Sequence, residues 1–249
     1  MSPTLHDVNQ KFPDKLFSAM NFRIKKFLRS FGIYVYRTYE PHTSTLMFKV
    51  YAKLISLSSG VLHIGGHIGQ EADFYRSCER PVLWIEGNPE KFEILKNNLA
   101  KYEEQDCLLA LLGDEKNDHQ PFRVASNDGA SSSIYDFVEF HDLGVDMVDT
   151  MTLPMVRLDQ TIPKSYANKY NFWVLDVQGA ELKVLKGAGE LLDSVFALTL
   201  EVKRNSFYKE GARWDDVEEF LRHKGFTALW EPDREEETMV AFIRMESPT

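Results

Sequence analysis

Short apolar runs alternate with amphipathic stretches through most of this chain. Runs at 61–64, 82–86, 108–112, 172–177 and 196–202 have strand length, and helical patterns at 70–78, 89–102, 180–192 and 213–224 separate them. Pro89 suits a helix start, where its missing N–H costs nothing. Strands alternating with helices predict a parallel sheet, and the last two runs, 226–230 and 239–244, read as a terminal pair. Residues 115–150 are acidic and read as loop, with short strands near 120–124 and 133–135; another strand is placed at 155–158. Upstream, Leu16, Met20, Ile24, Phe27, Leu28 and Phe31 recur at helical spacing, predicting a helix over roughly 13–31, with a second near 43–57.

The join between the first two strands carries the most chemistry. Val61 to Ile64 breaks at Gly65-Gly66-His67-Ile68-Gly69, a helical pattern starts at Gln70, and the next strand ends on Glu86. Glycines let a backbone approach a ligand, a helix start offers free N–H groups, and an acid at the tip of the second strand can take both hydroxyls of a ribose. A dinucleotide fingerprint would need glycine where Ile64 stands, and no Gly-Lys-Ser/Thr follows the turn. A turn with no pyrophosphate grip suits S-adenosylmethionine. The bland alternative is a βαβ turn whose glycines only let a helix pack.

Further blocks add to this. The chain carries His63-Ile64-Gly65-Gly66-His67-Ile68-Gly69-Gln70-Glu71, then Glu86-Gly87-Asn88-Pro89, Leu158-Asp159, and the thirteen residues from Asp176 to Ala188, DVQGAELKVLKGA. Together they resemble the FkbM-type methyltransferase family over about residues 60–245. The resemblance implies an α/β class I methyltransferase fold: a Rossmann-like, mostly parallel sheet ending in an antiparallel strand pair. It also implies an S-adenosylmethionine-dependent O-methyltransferase acting on a saccharide, glycan or polyketide-like metabolite. Two positions depart from the family pattern. His63 stands where many class I enzymes have an acid, which bears on how the methionine amine is held. Gln178 stands where the family usually has Glu, a change compatible with no effect.

On this reading Gly65, Gly66, His67, Gly69 and Gln70 line the methionine end, with His63 beside them. Glu86 takes the ribose, Asn88 follows it, and Asp114 faces the adenine amino group. Ser132 lies in a serine-containing stretch that the family tends to carry, within the small-polar segment 126–133, which is either a lid or a surface loop. Asp176 ends a nearly all-apolar strand, where a carboxylate is costly without a donor or cation. It can hold the cofactor amine or orient the acceptor. Glu201, one strand on, would stand on the acceptor side or pair with Lys203 or Arg204. Base candidates are Asp176, Glu201, His67 and His141; Glu181 and Lys183 read as capping or pairing residues. N- or carboxyl-methylation, and a binding module without turnover, remain the competing readings.

Composition narrows the frame. The 249 residues with 43% hydrophobic content support a full core, divided into an N-terminal basic helical extension (1–58) and a cofactor-binding domain (59–249). A net charge of −9 weighs against a nucleic-acid substrate. Cys78 and Cys107 have no zinc or disulfide spacing, and Asp176 is followed by Val-Gln-Gly rather than an Asp-Asn pair, so no metal is expected. No run is long enough to span a bilayer and no leader pattern opens the chain, which predicts a soluble, cytoplasmic protein. Positive charge gathers between residues 11 and 53. The basic helix there is either a membrane-surface or partner contact, or a core-packed helix with wet lysines.

Overall fold

The computed structural model describes residues 8–13, 33–38, 43–138, 145–202, 208–231 and 238–245. Strands β1 (Val8–Pro13) and β2 (Ile33–Thr38) pair in parallel, and helix α1 (Thr43–Leu57) leads into the main sheet. The N-terminal extension is therefore not wholly helical. Ile-Tyr-Val-Tyr at 33–36 is rich in strand formers, a run that the helix-period reading passes over. The basic helix expected over 13–31 lies outside the described residues, apart from Pro13 at the end of β1.

The main unit runs β3 (Val61–Ile64), α2 (Ala72–Ser77), β4 (Val82–Glu86), α3 (Pro89–Leu99) and β5 (Gln105–Leu109). After an insertion come β9 (Phe172–Leu175), α6 (Glu181–Gly187), a 3-10 turn (Gly189–Ser194), β10 (Ala197–Val202), α7 (Trp214–His223), β11 (Phe226–Ala228) and β12 (Thr238–Arg244). These seven strands lie in the order β5-β4-β3-β9-β10-β12-β11. The first five are parallel, and β12 runs antiparallel to both its neighbours. This is the class I methyltransferase arrangement that the sequence predicts. Every residue of β3, β4 and β9 is buried, which is why those strands read as unbroken apolar runs.

The insertion holds β6 (Leu111–Gly113), β7 (Asn117–Ala125) and β8 (Met147–Arg157), followed by short helices α4 (Leu158–Thr161) and α5 (Lys164–Lys169). Its three strands make a second sheet, β6-β8-β7, over a small core of Phe122, Ile134, Met155 and Ala180. Two expectations change here. The strand placed at 108–112 is two strands in two sheets: β5 begins earlier, at Gln105, whose buried amide accepts from Trp84 Nε1–H and donates to the Ala72 carbonyl. The short strand expected near 120–124 is the longer β7, and the stretch read as loop also holds the start of β8, which ends on the strand expected at 155–158; only scattered positions there are buried and the alternation is weak.

The chain leaves β3 for β4 and β5, then crosses back to β9 on the other side of β3, so the switch point falls between β3 and β9. Ile64 is in register with both Ile85 and Leu175. Gly65, Glu86 and Asp176, one residue further on, therefore stand side by side at the strand tips.

Candidate functional site

A cavity opens at these tips. Gly65, Glu86 and Asp176 form its polar end, while Leu111, Leu112, Phe122 and Ile134 wall the other. His63, His67, Gln70, Asn88 and Ser132 also line it.

Glu86 is buried, and each of its oxygens accepts one backbone N–H: Oε2 from His67 and Oε1 from Asn88, both at 2.7 Å. Burial pushes its carboxyl above the ordinary range, opposed by those two donors. The glycine turn is thus wound around the acid at the end of the next strand. Asn88 caps α3, its Oδ1 accepting from Glu90 N (3.0 Å) and Lys91 N (3.4 Å).

The turn glycines have a different reason from the one their spacing suggests. Gly65 has φ +91°, and a Cβ there would sit 1.8 Å from the Asp176 carbonyl oxygen. A Cβ on Gly66 would meet Leu95 and Trp84 at 3.1 Å, and one on Gly69 would meet Leu95 at 2.8 Å. Gly66 and Gly69 make room for α3 and are not part of the cavity wall; only Gly65 is. The packing alternative holds for those two.

His63 stacks on Trp84 with centroids 4.4 Å apart, and its Nδ1 meets the Tyr75 hydroxyl at 2.9 Å. Burial pushes its pKa down to about 3, so the ring is neutral. His67 adopts φ +44°. The Gln70 amide donates to its Nδ1 (2.9 Å), which puts the proton on Nε2, and that nitrogen donates to the Asp128 carbonyl at 3.0 Å. The ring therefore ties the glycine turn to segment 126–133, and both nitrogens are engaged. Lys91 makes a second tie, Nζ to Asp128 Oδ1 at 2.7 Å. Gly129, Ala130 and Ser132 of that segment line the cavity, and Ser132 Oγ accepts from Ala125 N.

Asp176 is half-buried, and its carboxylate accepts from the Gln178 amide. Burial raises its pKa; the Gln178 donor and nearby His67 oppose the rise. Gln178 has φ +54°, and its Oε1 faces the Tyr208 hydroxyl, which also lies 3.1 Å from the Ser131 carbonyl. Behind them Glu181 accepts from Val177 N (3.2 Å) and Gly179 N (3.3 Å), and complete burial pushes its pKa up to about 8. It supports the turn, as its place at a helix start suggests.

Two expected residues fall elsewhere. Asp114 lies outside the cavity wall, with its carboxylate on Lys183 Nζ at 2.8 Å and its carbonyl on Arg157. The insertion sheet carries the chain at 114 toward α6, where Asp114 meets Lys183. Glu201 is paired with Met239 across β10 and β12 and lines neither cavity described here. His141 lies outside the described residues.

A second cavity, of about 520 Å³, lies on one face of the sheet. It shares His63, Gln70, Glu71 and Asp176 with the first, and Tyr51, Phe74, Val174, Thr199, Trp230 and Met239 complete its wall. None of these six is flagged by the sequence: each comes from a different element and looks like core. Gln178 was visible as a departure, but its bond to Asp176 was not.

The first cavity suits a nucleoside carrying positive charge. It has an apolar slot at one end and a carboxylate in reach of a ribose. Two further carboxylates, Glu71 and Asp176, line it, and Asp176 has no ion-pair partner among the described residues. Among the described residues, no group of three His, Cys, Asp or Glu is placed to hold a metal ion, and no helix is long and apolar enough to cross a membrane.

A family model described as the methyltransferase FkbM domain matches residues 63–228. No curated protein matches the chain. Among solved structures, magnesium protoporphyrin IX methyltransferase from Synechocystis PCC 6803 aligns at 11% identity, over 91% of this chain and 85% of that one, with a TM-score of 0.45. An rRNA methylase from Streptococcus thermophilus aligns at 11% identity over 80% and 96%, TM-score 0.44. A TehB-like methyltransferase from Corynebacterium glutamicum aligns at 12% identity over 78% and 86%, TM-score 0.40.

Proposed function

Since this chain belongs to the FkbM methyltransferase family and is an S-adenosylmethionine-dependent enzyme, we propose that it methylates a hydroxyl oxygen, without a metal ion, on a saccharide, glycan or polyketide-like acceptor. The observation that carries this reading is Asp176, a carboxylate lying where two cavities meet.

Glu86 would hold the ribose hydroxyls, Leu111, Leu112, Phe122 and Ile134 the adenine, and Asp176 with His63 the methionine end. Bound there, the cofactor supplies a methyl group on a sulfonium. The protein's part is alignment, which in well-oriented systems is worth on the order of 7–11 kcal/mol. On this reading Asp176 accepts the acceptor's hydroxyl proton, and burial, by raising its pKa, supports that role. His67 is committed to segment 126–133 and Glu201 lies off the cavity walls, so Asp176 is the stronger candidate of the three.

Calorimetry with S-adenosylmethionine and S-adenosylhomocysteine, first without metal and then with magnesium, tests the reading. Binding that magnesium leaves unchanged is expected; folded protein that binds neither ligand defeats it. Asp176→Asn is expected to keep S-adenosylhomocysteine affinity within a few fold while turnover falls about 10²–10⁴-fold. Loss of cofactor affinity instead would assign Asp176 to the methionine end alone.

A further inference from the structure

We infer that the cavity on the sheet face is the acceptor site, and that it takes a flat, apolar, two-ring-sized body bearing a hydroxyl at each end rather than a fully hydroxylated sugar. This narrows the proposed function and rests on it.

Position is the first argument. The cavity shares His63, Gln70, Glu71 and Asp176 with the cofactor cavity, so ligands in the two would touch at Asp176. Its volume, about 520 Å³, is within the range of small-molecule sites. Tyr51 and Phe74 stack on each other at 5.7 Å and 16°, and Val174, Trp230 and Met239 complete an apolar wall.

The second argument is what that wall can bond. The Tyr51 hydroxyl is held by Tyr75 at 2.7 Å, and Trp230 Nε1 donates to the Met239 carbonyl at 3.0 Å. Gln70 Nε2 is on His67. What remains gathers in two places. His63, the Gln70 Oε1, Glu71 and Asp176 stand at the junction with the cofactor cavity; Thr199 stands apart from them. Its Oγ1 is buried with no hydrogen-bond partner among the described residues, and a buried hydroxyl left unpaired is unfavourable. A sugar ring would bring more hydroxyls than the described wall can satisfy.

The third argument is the distance between those places. His63, Val174 and Thr199 are in register on three adjacent strands, so they form one row on one face. At roughly 4.8 Å per strand the row spans about 10 Å, with apolar Val174 at its centre. A molecule reaching along this row from His63, at the junction, to Thr199 must lie flat across Val174, polar at its ends and apolar between.

The test uses 2,6-dihydroxynaphthalene, 2-naphthol and methyl β-glucopyranoside as probes on the S-adenosylhomocysteine-loaded protein, with affinities read by calorimetry. The diol is expected to bind about two- to tenfold more tightly than 2-naphthol, the worth of one neutral hydrogen bond. Thr199→Val, of nearly the same shape, is expected to erase that difference while leaving 2-naphthol and S-adenosylhomocysteine affinities unchanged. Val174→Phe, which fills the centre of the row, is expected to remove both naphthols; retained S-adenosylhomocysteine binding shows that it folds. Failure of the diol to bind, an unchanged diol-to-naphthol ratio in Thr199→Val, or displacement of 2-naphthol by the glucoside overturns the inference. Absence of S-adenosylhomocysteine binding strikes the methyltransferase reading instead, and diol binding to the unloaded protein then still decides this one.

Discussion

The cavity at the strand tips takes most of its polar wall from two short stretches, 63–71 and 86–88, together with Ser132, Asp176 and Gln178. The cavity on the sheet face takes single residues from α1, α2, β9, β10 and the segments around Trp230 and Met239. The first is polar and wound tightly on its own backbone; the second is apolar, with one orphaned hydroxyl. A tightly wound site tolerates no added atom, whereas a site assembled from separate elements can change one side chain at a time without losing the fold. The contrast is testable by substitution on each side.

Gly65→Ala is expected to have the largest effect. It adds a Cβ at φ +91°, overlapping the Asp176 carbonyl at 1.8 Å, so backbone must move at the centre of the sheet. Destabilisation of about 3 kcal/mol or more and loss of S-adenosylhomocysteine binding are expected, read by chemical denaturation and calorimetry. Near-native stability would mean that the strand tips are looser than their geometry shows.

Glu181→Gln comes next and depends on pH. Its carboxyl is held near 8 by burial, above the unfolded value of 4.5. The folded state therefore keeps a proton that the unfolded state releases, and stability is lost as pH rises from about 4.5 to 8. Glutamine can still accept from Val177 N and Gly179 N but has nothing to ionise. The variant is expected to gain on the order of a few kcal/mol over the parent at pH 8 and little at pH 4.5. Parallel pH–stability curves would show that Glu181 is not the source of the slope.

Glu86→Gln sharpens the same side more gently. One amide oxygen can keep one backbone donor, but the amide N–H₂ then faces the other, and ribose meets a neutral group. A hydrogen bond to a charged group is worth about 1.5–3 kcal/mol, so cofactor affinity is expected to fall about 10- to 100-fold, with naphthol binding in the other cavity unchanged.

What could be read in advance follows the same division. The strands β3, β4 and β9, the Pro89 helix start and Glu86 were legible because one element supplies each signal: full burial, a fixed φ, an acid at a strand tip. Of the β7–β8 pair only 120–124 and 155–158 were legible; the start of β8 was not, since Asp149 and the exposed Val148 break the alternation that marks a strand. The pairing of Asp114 was hidden for a related reason: its neighbours are in the second sheet, and Lys183, its partner, is 69 positions away. Tyr51, Phe74 and Thr199 converge only through sheet order, which no local pattern encodes.

Gln178 belongs to neither class, and its substitution tests the joint between the cavities. Its amide reads two groups at once: the N–H₂ donates to Asp176, and Oε1 faces the Tyr208 hydroxyl. Glutamate at this position has no N–H to give and sets a second carboxylate beside the first. Both changes penalise the ionised form of Asp176, which burial already disfavours, so its pKa must rise further. If ionised Asp176 takes the acceptor's proton, Gln178→Glu moves the acidic limb of the turnover–pH profile to higher pH. On that limb, where Asp176 is partly protonated, the variant turns over more slowly than the parent at the same pH, and the shift is read from the two profiles side by side. Cofactor affinity offers the check on where Asp176 acts. An unshifted limb with weakened S-adenosylhomocysteine binding would place the carboxylate on the methionine side of the joint, with the proton leaving by another route.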